Sequence, residues 1–271
     1  MPEMTTVGLR MLLLAACSAA MVPAWAGPPA IAALYYSADS GANLIDATTF
    51  VARKDFVIDD LAGTRVRQSI PGLPDTAILR DFQVEPNGDV VFALDIGTTL
   101  GGSYFRPADV IRRDGSAFTR EFDAAAAGIP AGVHCTGVAR RDGALLLSFD
   151  TTFTLAGATI RPADVVAYAN GAFAKILDGR SAAVPEGLHI DAIDSFRTTR
   201  YLLVSFDHGG SVGGVTFTAA DILQRDRVTG TWSKRFATGG FSDRWQRVNL
   251  DGLSALNTDT IFEDELEREH P

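Results

Sequence analysis

Cysteine is nearly absent from this 271-residue chain, which holds two, Cys17 and Cys135. Two cysteines close one bridge at most, so no disulfide framework can hold the fold. Cations are scarce as well: 24 Lys and Arg stand against 33 Asp and Glu, a net charge of -9. Nucleic-acid surfaces need clustered Lys and Arg to neutralise phosphates, so a nucleic-acid partner is excluded. Several enzyme signatures are missing: there is no His-Glu-x-x-His, no phosphate-binding loop and no zinc-type cysteine pair. The glycine-rich stretch Gly209–Gly214 joins two expected strands and opens no helix, which argues against phosphate cradling.

Long hydrophobic runs are also lacking, apart from Met11–Val22. That run is too short to cross a bilayer, which takes about 20 residues. Ala24-Trp25-Ala26 follows it as a small-x-small cleavage pattern, so residues 1–26 read as a signal peptide cut after Ala26. The expected location is secreted or periplasmic, with no transmembrane segment in the mature chain. The alternative is a lipoprotein anchored at Cys17, because Leu14-Ala15-Ala16-Cys17 has the form of a lipobox. Export would leave Cys135 alone and place all stability on the packed core.

What the chain does have is a repeat. Phe105-Arg-Pro-Ala-Asp-Val-Ile111 returns as Ile160-Arg-Pro-Ala-Asp-Val-Val166 and as Phe217-Thr-Ala-Ala-Asp-Ile-Leu223, with a worn copy at Phe50–Phe56. A second phrase keeps the same beat: Tyr36-Ser-Ala-Asp39, Phe92-Ala-Leu-Asp95, Leu147-Ser-Phe-Asp150 and Val204-Ser-Phe-Asp207. Periods of about 40 to 55 residues point to propeller blades. Each copy holds four strand signals separated by X-Gly turns such as Asp142-Gly143 and Asn170-Gly171. The N-terminal copy opens on a second strand, and the C-terminal one stops after a first strand, Leu250–Leu256. The expected fold is therefore all-β: a four-bladed β-propeller closed by its C-terminal strand, over residues 27–262. An open β-repeat stack is the alternative. Residues 263–271 read as a solvated acidic tail.

The phrase apolar-Ser-Phe-Asp, followed about ten residues later by Phe-x-x-Ala-Asp-Val, resembles repeats of uncharacterised secreted bacterial proteins with propeller-like blades. The resemblance covers roughly residues 32–256 and implies a fold without an activity.

Residues shared by all copies belong to the blade; those that break the repeat, or that ring closure gathers, are the candidates for function. The repeated Asp39, Asp95, Asp150 and Asp207 stand where Asp fixes turns. The first strand of each blade should line the axis. Aligned on their turns, these strands put Asp81, Thr136, Asp191 and Asp251 at one position, with His134 and His189 two residues earlier on the same face. Asp81, Asp191, Asp251, His134 and His189 thus form a candidate site for a divalent cation such as Ca²⁺. Phe82 and Val84 hint at a local register shift around Asp81. A second candidate is the insertion 237–247, which no other copy has. Its Phe241, Arg244, Trp245 and Arg247 are the residue types that dominate ligand and partner contacts.

These readings combine into an exported, non-enzymatic propeller that presents a binding surface to an extracytoplasmic glycan, peptide or envelope protein. One alternative is a divalent-cation-dependent hydrolase or lyase at the channel mouth, using Asp191, Asp251 and His189. Another is a structural component of the envelope.

Overall fold

The structure is a computed structural model that describes residues 30–196, 200–237, 244–245 and 248–257. The expected signal peptide and acidic tail lie outside the described residues. The first blade holds β1 (Ile31–Ala38), the short pair β2 (Ala42–Asn43) and β3 (Phe50–Val51), β4 (Asp55–Asp59) and β5 (Arg65–Ser69). The second holds β6 (Leu79–Val84), β7 (Val90–Leu94), the pair β8 (Thr98–Leu100) and β9 (Ser103–Phe105), β10 (Val110–Asp114) and β11 (Ala117–Phe122). In the third are β12 (Cys135–Arg141), β13 (Ala144–Phe149), the pair β14 (Phe153–Leu155) and β15 (Ala158–Ile160), β16 (Val165–Ala169) and β17 (Ala172–Leu177). The fourth has β18 (Ile190–Phe196), β19 (Tyr201–Phe206), the pair β20 (Gly210–Val212) and β21 (Val215–Phe217), β22 (Ile222–Asp226) and β23 (Thr231–Phe236). β24 (Leu250–Asn257) comes last, and no α-helix occurs among the described residues.

The hydrogen-bonded orders are β6-β7-β10-β11, β12-β13-β16-β17, β18-β19-β22-β23 and β24-β1-β4-β5. β24 therefore supplies the inner strand that the first blade lacks, pairing antiparallel with β1 from Ile31–Asn257 to Ala38–Leu250. Each second strand packs on both faces, and β7 and β19 are buried throughout, as their unbroken apolar sequence requires. The hairpins turn where the X-Gly pairs stand. Asp142 and Gly143 take φ of 50° and 75°, and Asn170 and Gly171 take 51° and 78°, the two positive values a type I′ turn needs. Four apolar clusters fill the four junctions between neighbouring blades, including the one between the first and the last. The four-bladed ring is thus closed by both sheet pairing and packing.

The axis explains how the ring is held. β6, β12, β18 and β24 stand around it as innermost strands, so one edge of each has no further strand to pair with. The N–H groups on that edge must find acceptors at the centre of the molecule. Asp81 provides them. Its Oδ1 accepts from Phe82 N (2.8 Å) and Leu253 N (2.9 Å), and its Oδ2 from Val138 N (2.7 Å) and Ile193 N (3.0 Å). Phe82, Val138, Ile193 and Leu253 occupy one repeat position, so a single carboxylate binds the same N–H of all four blades.

The register also corrects the sequence alignment. Leu79, Cys135, Ile190 and Leu250 pair equivalently with the second strands, and a bulge follows in every blade. Asp81 is therefore equivalent to Gly137, Ala192 and Gly252, while the partner of Thr136, Asp191 and Asp251 is Arg80. Counting back from the first turn fails in the second blade because the loop between the Val84–Val90 pair, Glu85–Asp89, is one residue longer than Arg141–Ala144 between the Arg140–Leu145 pair of the third. The three equivalent residues are small where the neighbouring blade approaches closely: a Cβ added to Gly137 would crowd Ser148 Oγ and Ile193, and one added to Gly252 would crowd Ser37 Oγ and the Phe82 ring.

Full burial raises the pKa of Asp81, opposed by the four N–H donors. Each oxygen already faces two N–H groups, so a proton could bind only by displacing one of them. The geometry therefore holds the charged form. A second tier follows along the axis. Asp194 accepts from Ser195 N and Ala255 N, Ser254 Oγ accepts from Val84 N, and the Gln83 amide bonds both N and O of Arg140.

Asp81→Ala is expected to strip four buried N–H groups of their acceptor. At about 1–3 kcal/mol for each unsatisfied group, that approaches the whole stability of a domain. Urea unfolding should show loss of the folded state or a collapsed midpoint, with Asp81→Asn intermediate because it keeps one acceptor oxygen. Wild-type midpoints in both variants would overturn the central role of this carboxylate.

Candidate acidic mouth of the propeller

At the bulge each inner strand turns one side chain toward the open end of the axis: Arg80, Thr136, Asp191 and Asp251. The repeated aspartates at the ends of the second strands stand around them. Asp150 Oδ1 accepts from His134 N (2.9 Å), Asp207 Oδ1 from His189 N (3.0 Å) and Asp39 Oδ1 from Asn249 N (3.3 Å). Asp95 instead faces Arg80 Nε and His134 Nδ1, each at 3.5 Å. Asp39, Asp150 and Asp207 thereby anchor the start of the inner strands, and together with Asp95 they ring the mouth with acids.

Between them lies a cavity of about 290 Å³. Its walls carry five carboxylates (Asp39, Asp150, Asp191, Asp207 and Asp251) and two guanidinium groups, Arg53 and Arg80. Thr136, His189 and Asn249 complete the lining. Asp251 is the anomaly: it is 1% exposed, yet neither of its oxygens accepts a hydrogen bond among the described residues. Its nearest compensation is the Arg80 guanidinium, 3.5 Å from Oδ1. Asp191 fares better, accepting from the Asn249 amide.

The titration of both follows from this setting. Burial pushes Asp251 up to about 8; Arg80 pulls it down, and Asp191, Asp39 and Asp95 push it further up. Burial likewise takes Asp191 up to about 6, against the Asn249 bond and Arg80. A buried carboxylate without donors resists ionisation, and ionisation then leaves charge that a cation could relieve.

The remaining candidates fall elsewhere. Asp191, Asp251 and His189 do meet in the cavity, whereas His134 turns to Asp95 and Asp150 outside its lining. Asp81 is corrected from a candidate metal ligand to a structural fastener, because all its acceptor sites are occupied by backbone N–H groups. No three His, Cys, Asp or Glu side chains among the described residues are grouped to hold a metal ion.

Trp245 is also corrected. It is 1% exposed and packs edge-on against Tyr36, with ring centroids 4.4 Å apart, in the core between the first and last blades. Arg244 donates to Asn43 O and Asp46 O, which ties the insertion to the β2–β3 hairpin. Phe241 and Arg247 lie outside the described residues. Gly209-Gly210-Ser211-Val212-Gly213 spells the Gly-x-Ser-x-Gly string of nucleophile elbows, yet Ser211 is an exposed residue of β20, with no helix after it.

Arg53 and Arg80 are lining residues that the sequence pattern did not point to, and the repeated aspartates, expected in turns, also stand around the mouth. Counting back from Asp95, whose N–H bonds Ile78 O as Asp150 and Asp207 bond His134 and His189, would have found Arg80.

Strand order, closure and axis together define a four-bladed β-propeller with an acidic mouth. No protein-family model matches the chain, and no curated protein does. Among solved structures it is similar to virginiamycin B lyase from Staphylococcus aureus, at 13% identity over 69% of this chain and 50% of that chain, with a TM-score of 0.32. It is similar to YCF48 from Cyanidioschyzon merolae, at 10% identity over 74% and 54% of the two chains, with a TM-score of 0.33. It is also similar to a putative TolB from Agrobacterium tumefaciens, at 9% identity over 78% and 71%, with a TM-score of 0.35. The chain thus spans about half the length of the first two. The fold assignment rests on the strand order and closure, and no activity passes from these proteins to this one.

The raised pKa of Asp251 has a stability consequence. The folded state keeps the Asp251 proton up to about pH 8, whereas the unfolded chain releases it near the ordinary value of 3.8. Folded protein then binds more protons in that window, so this contribution is complete below the unfolded value and is lost as pH rises through the folded one. Asp251→Asn should melt like wild type near pH 4 and increasingly above it toward pH 9, by about 2–4 °C per kcal/mol of relieved charge. A melting-temperature gap that does not change with pH would contradict the burial argument.

Proposed function

We propose that this protein is a non-enzymatic binding propeller acting outside the cytoplasm, whose axial mouth takes a small cationic ligand. The single observation that carries the reading is Asp251: a buried carboxyl group on the cavity wall with no hydrogen-bond donor among the described residues. Even with Asp251 protonated, four other carboxyl groups, Asp39, Asp150, Asp191 and Asp207, face two guanidinium groups across the same space, an imbalance in the direction that favours a cation. The polar lining suits a hydrated or hydrogen-bonding ligand. An amine or guanidinium fits better than a directly ligated metal, because it reads negative charge without a tight ligand cluster, and none is grouped among the described residues.

A divalent-cation-dependent hydrolase or lyase at the same mouth is the second reading. Asp251 supports it, since a carboxyl titrating at about 8 has the pKa of an acid–base group. Both readings pass through one experiment. Agmatine, choline, Ca²⁺ and acetate are titrated into the purified protein by calorimetry, with Asp251→Asn and Asp191→Asn alongside. Agmatine should bind, acetate should not, and either substitution should weaken agmatine at least about tenfold, which corresponds to about 1.4 kcal/mol. Binding of Ca²⁺ in place of the amines would favour the metal-dependent reading. No heat and no thermal shift from any cation would overturn both.

A further inference from the structure

A groove of about 570 Å³ runs between the third and fourth blades, and His189 lines both the groove and the axial cavity. The charge along the groove is of the other sign. Arg161 and Arg180 both line it, and neither side chain has a hydrogen-bonded partner among the described residues. Asp164, at the base of the groove, is already committed: it accepts from Arg161 N and Gly179 N and pairs with Lys175 Nζ at 2.7 Å. Glu186 is the other acid on the wall, and it is exposed. Asp178 also lies within the field of Arg161, held below its ordinary range mainly by the Ser181 N–H.

Comparison with the preceding junction, between the second and third blades, shows that this opening departs from the repeat. There Arg106, the counterpart of Arg161, donates to the carbonyl of Pro130 at 3.2 Å and latches the blades together. Pro185 is the counterpart of Pro130, yet Arg161 makes no such bond. Arg180 stands where the earlier copy has Ala125, and Glu186 where it has Ala131. A guanidinium released from its latch and a second one added by a repeat-breaking residue leave two fork-shaped donors on one groove, a chemistry that suits a carboxylate.

Resting on the reading of the mouth as a cation site, we propose that the full ligand is a short zwitterionic peptide. Its cationic end lies among Asp191, Asp251 and the repeated aspartates, its backbone passes His189, and its terminal carboxylate meets Arg161 and Arg180. The volumes of the two compartments suit a peptide of a few residues better than a single amino acid. Opposite charges at the two ends also fix its direction.

The test uses the whole protein and the tripeptide Lys-Ala-Ala as free acid, as C-terminal amide and as N-acetyl derivative, with agmatine as a probe of the mouth alone. The free acid should bind at least about tenfold tighter than the amide, a difference of about 1.4 kcal/mol. The double variant Arg161→Ala/Arg180→Ala should bring acid and amide to equal affinity and leave agmatine unchanged. Both arginines are outside the core, and an unchanged melting temperature would show that the variant folds. Equal binding of acid and amide by the wild type, or an acid preference that survives the double variant, would overturn the peptide proposal. Agmatine binding in that same experiment would leave the mouth reading standing. Loss of both agmatine and peptide binding in the wild type would overturn the two together.

Discussion

Everything in this ring depends on one carboxylate with four donors. A closed propeller removes the outer consequence of an edge strand at its seam, but it creates an inner one. Four innermost strands face each other across an axis too narrow for a fifth, and their N–H groups have no sheet partner. Asp81 resolves this for all four blades with two oxygens. Because the four donors occupy one repeat position, the acceptor must sit on the pseudo-symmetry axis, and only one blade can supply it. The other three carry Gly137, Ala192 and Gly252 at that position, and at the two glycines a side chain would crowd the next blade at Ile193 or Phe82. A symmetric architecture is thereby fastened by an asymmetric residue.

That fastening accounts for the freedom of the mouth. The bulge that brings Asp81 to the axis also turns the preceding residue toward the opening, and those residues are Arg80, Thr136, Asp191 and Asp251. None of them is needed for pairing. The repeated aspartates behind them keep a backbone role, since Asp39, Asp150 and Asp207 each bind the N–H at the start of an inner strand. The mouth therefore has a repeated outer ring of aspartates, held by structure, around an inner set that varies among the blades, Arg80, Thr136, Asp191 and Asp251. Divergence among repeats is concentrated where it does not disturb the ring.

The repeat, the four-stranded blade and the closing strand were legible in the sequence because they rest on signals with a fixed period: apolar second strands and X-Gly turns. The axial site was legible only in part. Asp191, Asp251 and His189 were found because turn-based counting holds for three blades. Asp81 was misplaced because the first hairpin loop of the second blade, Glu85–Asp89, is one residue longer than its counterpart in the third, so counting back from Asn87-Gly88 lands one residue late. Its separate role also hinges on donors from strands distant in sequence, which spacing cannot reveal. Trp245 was misread for a related reason. A Trp in a non-repeating segment looks like a contact residue, but this one fills the seam against Tyr36, and only the closed ring shows that the seam needs filling.

The acidic composition can now be divided by what each carboxylate does. Asp81 and Asp194 satisfy backbone donors at the axis. Asp109, Asp164 and Asp221 each accept the N–H three residues before them and pair with Arg120, Lys175 and Lys234. Asp39, Asp150 and Asp207 anchor the inner strands. Each of these would leave an orphaned donor if it were lost, so the blade itself explains it. Asp251 answers to no donor: it is buried, repelled by its neighbours and compensated only by Arg80 at 3.5 Å. Nothing in the blade requires a carboxylate there, since Thr136 occupies the same position two blades earlier in the ring. A group that lowers stability at neutral pH, at a position the fold leaves free, is the residue of this chain whose presence asks for a ligand, and a cation that let it ionise would recover that stability.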